Sequence, residues 1–300
     1  MIITIGEVVT DHFPKYRRIG GAPLNFACHL QKFRENVVLI TRLGNDADGD
    51  EIRSLIRDHG LPSAFIQRDR HHSTGRVHVT LDAQGGPNFD IVIGTAYDHI
   101  ELDPSVFSRL AGEQTLIYYG SLIQRSTNGF TQLRRFLESR PKSAKCFCDI
   151  NLRPPHFRHE VIEQCLHYAD ILKLNEEELM TIAAMLTVSG TAPDMVAALM
   201  DRYRLEMVAV TLGAGGSFVV HANQRYDAPR PKTEDLVDTV GAGDAFAAVL
   251  ALGYLRQLPL NLVLKVATGF AAEVCRRPGA IPADDAPYER VERQLKDSQR

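Results

Sequence analysis

The sequence predicts an α/β fold with a mostly parallel central sheet, helices on both of its faces and a small β-sheet lid. Three observations carry this prediction. Short apolar runs alternate with amphipathic stretches along the 300 residues, which is typical of parallel sheets covered on both faces. Glycines and polar residues follow the ends of six of these runs, at the edge where open α/β sheets bind ligands. Two segments, 8–21 and 61–94, break the alternation because they lack helical periodicity.

The predicted strands are short, apolar and bounded by turn-forming residues. In chain order they are IITI, NVVLIT, TLIYY, AKCFCDI, ADILKL, MVAVTL and SFVV. The predicted helices have apolar residues at helical spacing, and Pro23 and Gly60 suit the start of the first helix and the end of the second. These helices are PLNFACHLQKF, DADGDEIRSLIRDHG and the regions near residues 126–139, 157–168, 175–186, 193–203, 242–256 and 259–276.

The two segments without helical periodicity are predicted to form the lid. Segment 61–94 contains GRVHVTLD, in which apolar and polar residues alternate, and the turn-forming AQGG. We therefore expect a single domain over residues 1–300, with lid strands from segments 8–21 and 61–94. No internal repeat of 20–50 residues is visible in the sequence.

Composition and charge exclude several function classes. The net charge of −3, without blocks of like charge, argues against a nucleic-acid surface. No apolar run is long enough to span a bilayer, and the start MIITIGEVV lacks the basic region and cleavage site of a signal peptide. The five cysteines form no C-x-x-C pair and suit core packing. These features predict a cytoplasmic protein without nucleic-acid or membrane partners.

The stretch DTVGAGD, residues 238–244, precedes the apolar helical stretch AFAAVLALGYL. A helix N-terminus offers free N–H groups and a partial positive charge, and Gly241 and Gly243 would let an anion approach them closely. Phosphoryl transfer spreads negative charge over equatorial oxygens, so this stretch suits a phosphoryl group. Asp244 could then accept the proton of an attacking hydroxyl. The simpler interpretation of Asp244 is a first-turn acid favoured by the helix dipole.

Several other motifs for phosphate or metal chemistry are absent from the sequence. It has no G-x-x-x-x-G-K-[ST], and neither GAGDAF nor GAGGSF completes G-x-G-x-x-G. It also lacks H-R-D, D-F-G and H-E-x-x-H. A P-loop enzyme, a dinucleotide-dependent dehydrogenase, a protein kinase and a zinc protease are therefore disfavoured.

DTVGAGDAF resembles the signature of the ribokinase-like (PfkB) carbohydrate kinases, and seven further motifs occur in that family's order. They are GE…TD (6–11), GGAPLNFACHL (20–30), LGNDADG (43–49), DINLRP (149–154), LNEEE (174–178), TLGAGG (211–216) and RRPGAIP (276–282). The resemblance covers nearly the whole chain. It implies a ribokinase-like three-layer sandwich and an enzyme that transfers the γ-phosphoryl group of ATP to a sugar hydroxyl.

The resemblance also implies roles for individual residues. Asp244 would be the catalytic base, and Gly241, Ala242 and Gly243 would form the anion hole. The residues implied in sugar binding are Asp11, Gly20, Gly21, Asn25 and Arg153. The residues implied in nucleotide binding are Asn175, Thr211, Gly213, Gly216 and Gly279.

The cofactors implied by the resemblance are ATP and Mg²⁺, with K⁺ as a further candidate. Asn175 and Glu178 stand at the family's N-x-x-E positions, which organise Mg²⁺ through water. Asp238 and the Val240 carbonyl fall where many members hold a monovalent cation. From the residues alone, Asn175 could instead be a helix N-cap and Glu178 a solvent-facing side chain.

Two of the simpler interpretations concern the sugar-binding residues. Asn25 could be a polar residue buried by packing, and Arg153 could belong to a surface loop.

The sugar is less clearly indicated than the reaction. GGAP-x-N is closer to the fructokinase branch than to the GGKGAN of ribokinases, whereas D-x-N-x-R occurs in fructokinases and 2-keto-3-deoxygluconate kinases. We expect a fructokinase, with a 2-keto-3-deoxygluconate kinase or a ribokinase-type enzyme as alternatives. Lys15, Arg17 and Arg18 in the first lid segment could meet an acidic substrate or form a solvated edge.

Two further expectations concern function and assembly. A sugar-binding regulator without catalytic activity is a weaker alternative, since fold does not fix function. The lid could also pair two subunits into a homodimer.

Overall fold

The computed structural model describes residues 1–81, 87–110, 114–231 and 236–297. Its strands are β1 (Ile2–Ile5), β2 (Val9–His12), β3 (Arg17–Gly20), β4 (Val37–Gly44), β5 (Ile66–Asp69), β6 (Gly75–Leu81), β7 (Pro87–Ile91), β8 (Leu116–Tyr119), β9 (Lys145–Asp149), β10 (Ile171–Asn175), β11 (Met207–Thr211), β12 (Ser217–His221) and β13 (Gln224–Ala228). Within the described ranges they form a nine-stranded sheet, in the order β13-β12-β11-β10-β9-β8-β1-β4-β5, and a four-stranded sheet. In the large sheet, β12 pairs antiparallel with both β11 and β13, and the other pairs are parallel.

Helices cover both faces of the large sheet, as predicted. They are α1 (Ala22–Lys32), α2 (Ala47–Asp58), α3 (Val106–Arg109), α4 (Thr127–Glu138), α5 (His159–Tyr168), α6 (Glu176–Met185), α7 (Ala192–Tyr203), α8 (Ala242–Leu255), α9 (Leu260–Val274) and α10 (Ala286–Asp297). Successive strand residues point to opposite faces, so Ile3 packs in a core with α4 to α7, and Ile2 packs in a second core with α1, α8 and α9. The three-layer α/β fold is therefore confirmed.

None of the helices in the described part of the chain has the length and apolar character needed to cross a lipid bilayer.

The four-stranded sheet, here called the lid sheet, has the order β3-β2-β6-β7. The second predicted lid segment, 61–94, begins too early. Its β5 pairs with β4 in the large sheet, from Thr41↔Ile66 to Gly44↔Asp69, because the eight-residue β4 extends far enough to hold a further strand. The lid's share of this segment starts at Gly75, and the predicted turn AQGG lies outside the described residues.

The LGNDADG motif connects the lid sheet to the large sheet. Asp46 caps α2 and also accepts a hydrogen bond from the Thr74 N–H at 2.8 Å. Asp48 accepts hydrogen bonds from the guanidinium groups of Arg17 at 2.7 Å and Arg76 at 2.6 Å. These two aspartates therefore anchor two lid arginines and the residue just before β6 against the start of α2.

Candidate active site

Asp244 lies in the first turn of α8, where the chain leaves the DTVGAGD loop. The helix begins after Gly241, whose φ of 78° is a left-handed conformation that favours glycine. A Cβ at Gly241 would also lie only 2.3 Å from the Cβ of Ala280. The side-chain amide of Asn25 in α1 donates a hydrogen bond to Asp244 Oδ2 at 2.7 Å. Asp244 is therefore held between α1 and α8, and Asn25 has a polar partner of its own.

A buried lysine stands beside the backbone of the same loop. Lys173 in β10 has its Nζ 3.0 and 3.1 Å from the two carboxylate oxygens of Asp149, at the end of β9. The Tyr118 hydroxyl donates to Asp149 Oδ2 at 3.1 Å. A Cβ at Gly243 would lie 2.9 Å from Lys173 Nζ, so the ammonium approaches the backbone of the GAG stretch. The predicted anion hole thus has a positive charge beside it that was not predicted.

For both residues of this ion pair, the local sequence indicates a role at the site. Lys173 interrupts the apolar strand ILKLN, and a charged residue in a buried strand is rarely retained without a partner. Asp149 ends a buried strand and opens the DINLRP motif. Together the two signals indicate a buried ion pair at the carboxyl edge of the sheet.

The surroundings of Asp244 make it more basic than an ordinary aspartate. Burial and the charge of Asp149 raise the pKa of Asp244 to about 6, while the Asn25 hydrogen bond and the charges of Lys173 and Arg153 lower it. Burial alone would lower the pKa of Lys173, but the nearby carboxylates raise it above its usual value. Asp244 is therefore ionised at neutral pH and suited to accept a proton.

The residues predicted to bind the sugar meet where the lid sheet joins the large sheet. Asp11 lies in β2, Gly20 ends β3, Gly21 precedes α1 and Asn25 lies in α1. A Cβ at Gly20 would lie 3.4 Å from Asp11 Oδ2, and one at Gly21 would lie 2.5 Å from the Glu7 carbonyl oxygen. The two glycines thus let three segments approach one another closely.

Arg153 places a positive charge among three carboxylates. Burial raises the pKa of Glu7 to about 7 and that of Asp11 to about 6, and the charge of Arg153 opposes both shifts, as it does for Asp244. Arg153 itself is exposed, whereas Glu7 is 4% exposed. Glu7 was not predicted as a site residue, although it directly follows the first strand in the GE motif. The four side chains form one electrostatic group at the sugar end.

A cavity of about 240 Å³ lies on the other side of the GAG stretch. The predicted residues that line it are Asn175, Thr211, Gly213, Gly216, Ala242 and Gly243. Further lining residues, which were not predicted, are Ser217, Arg230, Thr239, Phe246, Thr268, Ala271, Ala272 and Cys275. Gly279 does not line this cavity but lies beside Asp238, to which its N–H donates at 3.3 Å. Larger clefts of about 500 and 1090 Å³ lie away from the carboxyl edge of the sheet.

Asn175 and Glu178 form a capping box at the start of α6. Asn175 Oδ1 accepts from the Glu178 N–H at 2.8 Å, and Glu178 Oε2 accepts from the Asn175 N–H at 2.8 Å. Glu178 is buried, and its Oε1 accepts from the Leu152 N–H at 2.8 Å. Asn175 is therefore an N-cap as well as a cavity residue. Each Glu178 oxygen keeps a lone pair, which fits contact with the waters of a metal ion rather than the ion itself.

No three His, Cys, Asp or Glu side chains are grouped as ligands of a metal ion within the described ranges. Mg²⁺ is commonly bound through one or two carboxylates, several waters and the phosphates of a substrate. The residues present fit that mode of binding.

Asp238, predicted to hold a monovalent cation, is already paired. Its Oδ1 accepts from the Val240 N–H at 3.0 Å, and its Oδ2 accepts from Arg18 Nη1 at 2.5 Å. Although burial would raise the pKa of Asp238, these hydrogen bonds and the Gly279 N–H hold it below its usual value. A guanidinium therefore already occupies one oxygen of this carboxylate, and the role of Asp238 and Val240 at a K⁺ site stays a prediction.

The sequence model of the pfkB family carbohydrate kinases matches residues 10–287 of the chain. The chain is 26% identical over 302 residues to a fructokinase of Salmonella typhimurium, with 95% of this chain and 96% of that protein covered. It is 27% identical over 313 residues to fructokinase-1 of Oryza sativa subsp. japonica, with 94% of each chain covered.

Among solved structures, the fold is similar to that of a fructokinase from Xylella fastidiosa with bound ATP. The TM-score is 0.80 at 21% identity, with 100% of this chain and 99% of that chain covered. This likeness supports the fold.

Proposed function

Because the chain belongs to the pfkB family of carbohydrate kinases, we propose that it transfers the γ-phosphoryl group of ATP to a hydroxyl group of fructose or a close ketose. It is a phosphotransferase that acts on a sugar hydroxyl. The choice of a neutral ketose rests on the charges at the sugar end of the site.

The observation that carries this choice is the group of Glu7, Asp11, Asp244 and Arg153. Asp11 and Asp244, with pKa values of about 6, are ionised at neutral pH, and Glu7, with a pKa of about 7, is partly ionised. Against a single guanidinium these carboxyl groups leave an excess of hydrogen-bond acceptors and negative charge. A neutral sugar supplies hydroxyl donors to such a surface, whereas an acidic sugar such as 2-keto-3-deoxygluconate would add a further negative charge. The names of the fructokinase relatives agree with this choice.

Two of the three cations of the first lid segment are already paired with carboxylates. Arg17 is bound to Asp48 and Glu51, and Arg18 is bound to Asp238. Their charges are therefore neutralised by carboxylates of the chain itself, which weakens the case for an acidic or phosphorylated substrate.

Asp244 would act as the general base of the transfer. A sugar hydroxyl placed against Asp244 would give up its proton to the carboxylate as the new O–P bond forms. Asn25 holds the carboxylate in position through its 2.7 Å hydrogen bond. The N–H groups of the GAG stretch and the Lys173 ammonium would stabilise the negative charge of the transferred group.

The 240 Å³ cavity is the candidate site for the nucleotide. Its apolar wall includes Phe246, Ala271 and Ala272 and suits the flat ring of a base, while Asn175 and Thr211 offer polar groups. Mg²⁺ bound to the phosphates would neutralise part of their charge during transfer. Glu178 would orient the waters of that ion through its free lone pairs.

A coupled assay of ADP release over a sugar panel tests the proposed function. The panel contains fructose, tagatose, ribose, 2-keto-3-deoxygluconate and a nucleoside, and we expect the highest kcat/KM with fructose. The Asp244→Asn variant, prepared in parallel, reveals any contaminating kinase. A preference of about tenfold for 2-keto-3-deoxygluconate, roughly 1.4 kcal/mol of transition-state binding, would contradict the choice of sugar but leave the kinase class intact.

We also propose that two copies pair through their lid sheets. β3 and β7 are the edges of this sheet, and Tyr16 and Ile93 beside them are 50% and 73% exposed, as expected of an interface. Light scattering after gel filtration should give twice the chain mass. A monomer mass would contradict the pairing. The cytoplasmic location stays a prediction.

A further inference from the structure

The carboxylate of Asp238 is bound by a cation that belongs to the chain itself. Arg18 Nη1 lies 2.5 Å from Asp238 Oδ2, and the N–H groups of Gly279 and Val240 donate to the same carboxylate at 3.3 and 3.0 Å. The Asp238 side chain is 14% exposed and that of Arg18 is 35% exposed. This pair is thus partly shielded from solvent, where a charge contact is stronger than at an open surface.

Arg18 is held in place by the lid. Its guanidinium carbon lies 5.8 Å from the ring centroid of Phe13 and 5.1 Å from that of Tyr16. The two rings stack on each other with centroids 4.4 Å apart. Such cation–π contacts orient a planar guanidinium. The side chain is therefore fixed on the lid side as well as by Asp238.

The contact joins the sugar end of the site to the anion-hole loop. Arg18 lies in β3, two residues before Gly20, and its strand partner is Asp11. Asp238 begins the loop that ends at Gly241, and its other contacts reach the Gly279 loop. Movement of the lid would therefore act directly on the loop that carries the N–H groups of the anion hole.

A second cation at this carboxylate is disfavoured. Two unit charges about 4 Å apart repel by roughly 1 kcal/mol in water and by about 4 kcal/mol near a protein surface. A monovalent ion bound to Asp238 would have to overcome this repulsion or displace the guanidinium, which also donates a directed hydrogen bond.

We propose that Arg18 is a positioning residue that supplies, as a tethered cation, the charge that a monovalent metal ion would otherwise supply at Asp238. It thereby holds the anion-hole loop in register with the lid. The inference rests on the kinase activity proposed above. It predicts an enzyme whose activity does not depend on K⁺.

Salt replacement on the wild-type protein is the first test. Initial rates are measured in potassium, sodium and tetramethylammonium chloride at equal ionic strength, so that screening is constant. We expect rates that agree within about twofold. Activation by K⁺ of about fivefold or more over tetramethylammonium would overturn the proposal.

Variants of Arg18 separate a tethered cation from a merely structural residue. Arg18→Gln should lower kcat about tenfold or more in tetramethylammonium, with a smaller change in KM, and K⁺ should restore part of the loss because the carboxylate becomes free. Arg18→Lys keeps the charge and should stay independent of K⁺. Arg17→Gln is the matched control, since Arg17 is the neighbour in β3 but contacts Asp48 and Glu51. Its rates should be equal in the three salts, as those of the wild type are, whatever its absolute rate.

Two readouts do not require turnover. K⁺ should raise the melting temperature and the ATP affinity of Arg18→Gln, relative to tetramethylammonium, but should leave both unchanged in the wild type. Identical behaviour of Arg18→Gln and the wild type in every salt would overturn the proposal. If no sugar is phosphorylated, the melting and ATP-binding measurements still decide it. If Arg18→Gln does not fold, the proposal is decided by Arg18→Lys and by the wild-type salt series.

Discussion

At the scale of single residues, the properties of Asp244 come from its burial and from neighbours with opposing effects. Burial and the charge of Asp149 make its carboxylate more basic, while Asn25 and Lys173 stabilise the ionised form. A base with a pKa of about 6 is ionised at neutral pH yet still has appreciable affinity for a proton. The same lysine also places a positive charge at the anion hole, because it lies beside the backbone of Gly243.

Replacement of Asp244 by Asn tests its role as the base. Asn keeps the shape and can still hydrogen-bond a hydroxyl, but it cannot take the proton, so kcat should fall by roughly 10²–10⁴. The Kd values for ATP and sugar, measured by calorimetry, should change little. Asp50→Asn, in the first turn of α2, is the control for a first-turn acid outside the site, where Asp50 pairs with the exposed Arg68. Near-normal single-turnover rates in Asp244→Asn would remove Asp244 as the base.

The pH dependence of kcat/KM tests the electrostatic setting of that base. Because Asp244 acts when ionised, kcat/KM should fall as the pH drops through about 6. Lys173 lowers the pKa of Asp244, so Lys173→Met should move this acid limb to higher pH. Lys145→Met removes a lysine that pairs with Glu206 outside the site and should leave the limb in place. An unmoved limb in Lys173→Met would show that the two charges do not interact.

At the scale of elements, the sequence allowed the prediction of those strands and helices that bury an apolar pattern. The helices predicted near residues 126–139 and 193–203 occur at Thr127–Glu138 and Ala192–Tyr203. In contrast, β13 (QRYDA) was missed because its residues are mostly polar, and β5 (IQRD), within segment 61–94, was assigned to the lid instead of the large sheet. They are strands because β4 and β12 offer them free edges, and a partner strand is not visible in a local pattern.

The same reasoning explains what was missed in the site. The glycines and Asp244 stand together in one heptapeptide, so their proximity could be predicted. The Arg18–Asp238 contact spans 220 residues, and no local pattern places its two members together. Lys173 and Glu7 had local signals, but their partners became clear only when the strand ends were placed side by side.

The lid sheet gives a prediction at this scale. If the lid closes on a bound sugar, the amides of β6 (Gly75–Leu81) should exchange more slowly with saturating fructose, because water is excluded from the site. Hydrogen exchange followed by mass spectrometry measures this protection. The helix Thr127–Glu138, away from the lid, is the internal control. Equal exchange of β6 with and without sugar would count against closure.

At the scale of the whole molecule, the buried carboxyl groups of the site lower the stability of the fold. Glu7, Asp11 and Asp244 all have folded-state pKa values above their ordinary ones because of burial. In the pH range between the unfolded and folded values, the native state therefore binds more protons than the unfolded state. The free energy of unfolding falls as the pH rises through that range. Such a cost is common where activity needs buried charged groups.

Glu7→Gln tests this cost at the most shifted group. The pKa of Glu7 rises from 4.5 to about 7 on folding, so its ionised form destabilises the protein fully only above pH 7. Gln carries no charge and can still accept the backbone hydrogen bond. The variant should therefore gain stability over the wild type as the pH rises from 5 to 8, by up to ~3 kcal/mol. Urea unfolding at both pH values measures the gain, with the exposed Glu177→Gln as control. A gain independent of pH would show that the cost does not come from the charge of Glu7.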